Sequence, residues 1–154
     1  MKQGAGFSVT INIIAIFIVV TFAFLVASLN YYKAYKVNNA VMASIEKYEG
    51  YNDLSKKEIA KKLDGLGYVN GNVTCSIDNS NSNEHIETDA VGMHYNNKTY
   101  SVCIYKETKD LKKTGKAKYK IVTFVNFNIP VINQVLNLPV KTYTEGIYQF
   151  NDIE

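Results

Sequence analysis

The stretch "GAGFSVTINIIAIFIVV", residues 4–20, decides how the rest of the chain is read. From Phe7 to Leu29 the sequence carries no charge and is interrupted only by Ser8, Thr10, Asn12, Thr21 and Ser28. As a helix this run is about 34 Å long, enough for the roughly 30 Å hydrocarbon core of a bilayer. An export signal has an apolar region of only ~7–15 residues before a small-residue cleavage site. "VASLN" at 26–30 offers small residues, but the run ahead of it is too long for that type. A retained membrane helix is therefore expected over 7–30, after a short leader-like segment at 1–6.

Beyond Leu29 the pattern turns amphipathic. Ala34, Val37, Val41, Ile45 and Tyr48 recur at three- and four-residue steps, with Lys33, Lys36, Asn39 and Glu46 between them. Tyr31, Tyr32 and Tyr35 fall where a helix leaves a bilayer, the place of an aromatic belt. The helix is expected to continue through 31–50 and to stop at Gly50. A second short helix is expected from a capping-box spacing at Ser55 and Glu58, with Leu54 and Ile59 as a hydrophobic staple. Ile59, Leu63 and Leu66 form its buried side, Lys56, Lys57, Lys61 and Lys62 a solvated one, and Gly65 or Gly67 its end.

From Val69 the period changes to that of strands. "VTCSI" at 73–77 reads as a strand, "DNSNSNE" as a loop, and "VGMHY" and "KTYSVCIY" as hairpin arms around Asn96-Asn97. "KETKDLKKTGKAKYK" reads as a lysine-rich loop or hairpin tip and "KIVTFVNFNI" as the strongest strand, broken by Pro130. "VINQVLNL" places Val131, Ile132, Val135 and Leu136 on one side of a helical turn, and "VKTYTEGIYQF" returns as the last strand. The expected fold is α+β: a long amino-terminal helix and a short helix packed on a four- or five-stranded antiparallel sheet, with 51–154 as the soluble domain.

Two family resemblances bear on function. "GF" followed by Ser8, after "MKQGA", resembles the leader of type IV prepilins, in which a peptidase cuts after the glycine and the apolar helix stays with the mature protein. The resemblance implies cleavage between Gly6 and Phe7. The glutamate usual in prepilins stands here as Ile11, and Asn12 is the nearest polar group. A long helix, a strand meander and "NIPVINQVLNLPVKT" also resemble TadE-like minor pseudopilins of tight-adherence pilus systems. That likeness covers the architecture of the whole chain, and in residues the helix and 124–145. It implies a structural subunit whose partners are the lipid bilayer and other pilin-like or assembly-apparatus subunits. Thr10, Asn12 and Thr21 would then form interhelical hydrogen bonds, worth ~0.6 kcal/mol each.

Cys75 and Cys103 are the only cysteines, and a disulfide is the natural reading for a domain outside the cytoplasm. Cys75 shares its strand face with Val73 and Ile77, whereas Cys103 alternates with Ser101 and Tyr105, opposite Val102 and Ile104. Pairing requires those faces to meet; the alternative is two small apolar side chains left as thiols. The two histidines, His85 and His94, fall short of the three ligands of a catalytic zinc site. "GLGYVNG" precedes a strand rather than opening a helix, and "GKAKYK" lacks the P-loop spacing. No enzyme activity, cofactor or small-molecule substrate is expected. Nucleic acid is not expected as a partner either, because the net charge is only +3 and no basic stretch interleaves aromatics. All seventeen basic residues are lysine, which reads as a compositional bias.

The flanking charges disagree with the pilin reading. Lys2 precedes the apolar run and Lys33, Lys36 and Lys47 follow it, which by lysine count puts the domain in the cytoplasm. The leader and the cysteine pair place it outside, and an extracytoplasmic domain on a single-pass anchor is the expectation carried forward. A second reading is a permanently tethered surface domain whose loop 106–120 meets anionic envelope polymer or a partner protein through Lys109, Lys112, Lys113 and Lys116.

Overall fold

A computed structural model describes residues 3–66, 73–76, 84–129 and 134–149, with the backbone alone for 3–8, 125–129 and 134–138. One helix, α1 (Gln3–Lys47), runs unbroken for 45 residues, about 68 Å at 1.5 Å per residue. Its two halves differ. Val9 to Leu29 is bare: Ile16 is 64% exposed, and no residue of the most apolar window is buried. Ala34, Val37, Val41 and Ile45 are sealed in the core, as their spacing predicts. The helix ends in a Schellman turn, in which Gly50 N–H donates to Ile45 O at 2.9 Å and Glu49 N–H to Glu46 O at 3.3 Å. Glu49 takes the left-handed conformation (φ 53°), ahead of Gly50 (φ 148°).

The second helix, α2 (Asp53–Gly65), begins three residues earlier than the Ser55 box predicts. Asn52 is the cap: its Oδ1 accepts from Ser55 N–H, and Ser55 Oγ accepts from Asn52 N–H, both at 2.9 Å. Ser55 is thus the far member of the box. Leu54 is exposed and forms no staple. Ile59 and Leu63 are buried against α1 as expected, with Ala60 beside them, whereas Leu66, expected on the same buried side, is exposed because it caps the helix beyond its last turn. Lys62 Nζ donates to the buried Ser44 Oγ of α1 at 3.0 Å.

Seven strands follow among the described residues: β1 (Glu84–Ile86), β2 (Met93–Tyr95), β3 (Lys98–Tyr100), β4 (Val102–Glu107), β5 (Lys116–Ile129), β6 (Gln134–Tyr143) and β7 (Ile147–Tyr148), with one helical turn, α3 (Leu111–Thr114), between β4 and β5. β1, β4, β5 and β6 form an antiparallel sheet in that order, and β7 pairs with the start of β5. The chain is therefore α+β, with five strands in the main sheet. β2 and β3 form a separate hairpin with the expected two-residue turn, whose Asn96 (φ 48°) and Asn97 (φ 60°) both take the positive φ of a type I′ turn.

Several expectations give way. Residues 73–76 form no strand; their placement comes from a hydrogen bond of Cys75 N–H to Ala90 O (2.7 Å) and from the disulfide. Glu84, expected as the last residue of the polar loop, instead opens β1, whose backbone completes the edge of β4. The lysine-rich loop contains α3, nucleated by the buried Leu111. Val135 and Leu136 lie in β6 rather than on a helical turn: ten consecutive pairs with β5 supply backbone bonds that the local i, i+4 pattern cannot outweigh. Val131 and Ile132, like "DNSNS" at 78–82, lie outside the described residues.

The sheet carries a core on each face. Val102, Ile104, Tyr119 and Ile121 pack with α1, α2, Met93 and Tyr100 on the inner face. On the outer face Val73, Cys75, Cys103, Tyr105 and Val122 form a second cluster, with Ile86 and Phe124 at its margin.

Candidate functional site

The outer cluster shows how the cysteines meet. Cys103 faces away from α1, as its alternation with Val102 and Ile104 predicts. The irregular segment 73–76 crosses above that face rather than entering the sheet, so Cys75 descends onto Cys103, with Cα atoms 5.6 Å apart. Both thiols are consumed, so Cys103 offers no nucleophile to His94. His94 Nδ1 lies 3.4 Å from Asp89, and its Nε2 is 2.9 Å from Thr99 Oγ1. His85 is exposed on edge strand β1, paired with Lys106. Among the described residues no three histidine, cysteine or acidic side chains cluster with metal-ligating geometry.

Beside the disulfide is a polar feature the sequence does not single out. Lys120 forms an ion pair with Glu84, both largely buried, and its ammonium stands 4.3 Å from the centroid of the Tyr105 ring. Such a pair is costly to break, since either partner alone is an uncompensated charge. Burial raises the Tyr105 pKa and Glu84 adds to the rise, so its hydroxyl stays protonated as it donates to Ser76 O (3.2 Å). Tyr51 is likewise pushed up by burial, then by Glu87 and Asp89. At the α2 end, hydrogen bonds from Lys98 and Tyr100 hold Asp64 below the usual carboxylate range, while burial and Asp64 push Tyr100 up to about 12.

Asn38 is the other residue that periodicity misses. It is fully buried within the apolar stripe of α1, and its Nδ2 donates to Val140 O of β6 at 2.9 Å. Thr123 Oγ1 reaches Ala34 O at 3.4 Å nearby. A polar residue flanked by Val37 and Val41 is the signal that marks such a contact in the sequence.

The lysines divide. Lys109, Lys112 and Lys113 are exposed on and beside α3. Lys116 belongs to β5 and lies 4.5 Å from the Tyr148 ring centroid. This tip lies at the end of the domain away from the bare helix, since Gln149 N–H bonds Gly115 O and its side chain reaches Glu49 O. An open recess of about 520 Å³ there is lined by Glu46, Glu49, Glu145, Gly146, Ile147 and Tyr148. Glu46 Oε1 is engaged by the Glu145 N–H at 3.1 Å.

On the bare helix, Gly6 and Phe7 lie within the first turns of α1. Thr21 donates its hydroxyl to Phe17 O (2.8 Å) and Ser28 to Phe24 O (2.9 Å), which leaves their oxygen lone pairs for a neighbour. Eleven and seven residues separate Thr10, Thr21 and Ser28, about three and two turns, so they share one stripe; Asn12 lies nearly opposite Thr10. Comparison of the chain with family models, curated proteins and solved structures finds no match.

Proposed function

We propose that this chain is a membrane-anchored, pilin-like minor subunit with a structural role in assembling a pilus or secretion apparatus, its α+β domain outside the cytoplasm. The observation that carries the reading is α1 itself. One continuous helix is long and apolar enough to cross a membrane, exposed over that part, and packed along one face against the sheet over the rest. A tether alone needs no rigid continuity between span and domain. A subunit whose span leaves lipid for a bundle of like helices does, because the domain must travel with the helix as one body. The disulfide supports the external placement, since such bonds persist in oxidising compartments. The stripe of Thr10, Thr21 and Ser28 supplies small polar groups for helix–helix contact.

Intact mass and amino-terminal sequencing of the protein recovered from membranes test the reading. The expected mature chain starts at Phe7, two hydrogen atoms lighter than the fully reduced form. A chain that retains Met1–Gly6 refutes processing as a prepilin.

A second reading draws on the exposed Lys109, Lys112 and Lys113 at the membrane-distal tip, the place where a tethered domain would meet anionic polymer or a partner protein. It requires binding that weakens steeply with salt and is lost in the triple alanine variant.

A further inference from the structure

α1 and the β5–β6 ribbon both lose their charges at the same level of the molecule. On α1 no charged residue lies between Lys2 and Lys33; on the ribbon none lies between Lys120 and Lys141. Contacts align the two boundaries: Thr123 reaches Ala34, and Val140, its partner in the ladder, receives the Asn38 bond. β5 runs antiparallel to α1, from Gly115 near the Glu49 end to Thr123 at Ala34. Residues 124–129 therefore continue toward the bare half, about 20 Å at 3.3 Å per residue. The register keeps Val125, Phe127 and Ile129 at positions of the same parity as Ile121, opposite Leu138, Leu136 and Gln134. Asn126, Asn128 and Asn137 take the other parity, so the ribbon is amphipathic without charge.

We infer that this ribbon is a second membrane-contacting element, seated in the headgroup layer beside the point where α1 leaves the bilayer. The occupant is a lipid surface because the boundary is marked as an interface on both elements. Exposed Tyr31, Tyr32 and Tyr35 form an aromatic belt on α1, and the exposed Lys33, Lys36 and Lys141 stand at its water side, placed to reach lipid phosphates. The depth follows from the ladder. β4 pairs with β5 only as far as Thr123, so over residues 125–129 that edge of β5 carries no β4 ladder. Open strand edges are not tolerated in hydrocarbon but are satisfied by water and headgroups. The inference rests on membrane anchoring, not on pilin processing.

The chain has no tryptophan, so one introduced residue reports alone. Full-length Phe127→Trp protein is reconstituted in phosphatidylcholine–phosphatidylglycerol vesicles, with Tyr148→Trp at the far end of β5 as the reference. The expected result is blue-shifted F127W emission, lost to a nitroxide carried near the headgroup and less to one near the acyl-chain end. Y148W emission is lost only to aqueous acrylamide. Val125→Trp, a position of the same parity along β5, gives the same readout if Phe127→Trp does not fold. Vesicle flotation with F127W and V125W open to acrylamide overturns the ribbon's role alone. Shielding from both acrylamide and lipid quenchers assigns the ribbon to a protein partner and overturns it too, as does stronger quenching from the chain ends. Failure to float overturns the anchoring on which the inference stands.

Discussion

The two halves of α1 have nearly the same backbone and opposite surroundings. In the upper half, four apolar side chains at helical spacing are wholly enclosed, whereas in the lower half every face is apolar and almost nothing is covered. An apolar stripe needs one partner surface; an apolar cylinder needs a solvent that is itself apolar. The same residue type therefore carries a different energetic role on either side of Tyr31–Tyr35: Ile45 stabilises the domain, while Ile16 sets where the chain resides.

The largest effect sharpens this contrast from outside the helix. Cys75→Ser with Cys103→Ser removes a cross-link between residues 28 apart, a loss of about 3.5 kcal/mol in the chain-entropy model. Thermal melting in detergent should show the loss, and hydrogen exchange should show residues 73–76 released while Val37–Ile45 stay protected. Next, Ile45→Ala is expected to cost about 3 kcal/mol, read by denaturant unfolding of the domain. Ile16→Ala should leave that stability unchanged within ~0.5 kcal/mol; equal effects at the two sites would break the comparison. Ile16→Lys places a charge in the span and is expected to disfavour insertion by about 2.5 kcal/mol, measured as the fraction resisting alkaline extraction, with the folded domain unaffected. Asn52→Ala removes one arm of the α2 capping box, for about 1 kcal/mol, which calorimetry resolves.

The smallest effect is a pH dependence. Asp64 has a lowered folded-state pKa, so the stability it supplies is present above the unfolded value of 3.8 and is lost as pH falls through the lowered one. Asp64→Asn lacks this step, so its stability should fall less across that acidic window. An unchanged acid-unfolding curve would show that the Lys98 and Tyr100 bonds contribute nothing there.

What the sequence made legible was local or strongly periodic. The type I′ turn needs only Asn96 and Asn97 to accept positive φ, and α1 needs only its own repeating pattern. Harder positions depended on partners far along the chain. Val135 and Leu136 carry a helix-like spacing, yet β5 was waiting as a template. Cys75 occupies no strand at all, and its position over Cys103 follows from where Ala90 and the sheet hold it. Ser55 belongs to the capping box but at its far end, since Asn52 precedes it by three positions and both residue types serve as caps. Buried polar groups were the least visible: Asn38 interrupts an apolar stripe, Lys120 and Glu84 close stretches that look solvated, and each gains its meaning only from a distant partner such as Val140 or Tyr105.

The Asn38 bond to Val140 has a mechanical corollary. A helix gripped only by greasy side chains can roll by a fraction of a turn at little cost, whereas a directional bond to a strand carbonyl fixes its azimuth. Since α1 is unbroken, that azimuth is transmitted down the shaft, and the compass bearing of the Thr10–Thr21–Ser28 stripe is dictated by the head above it.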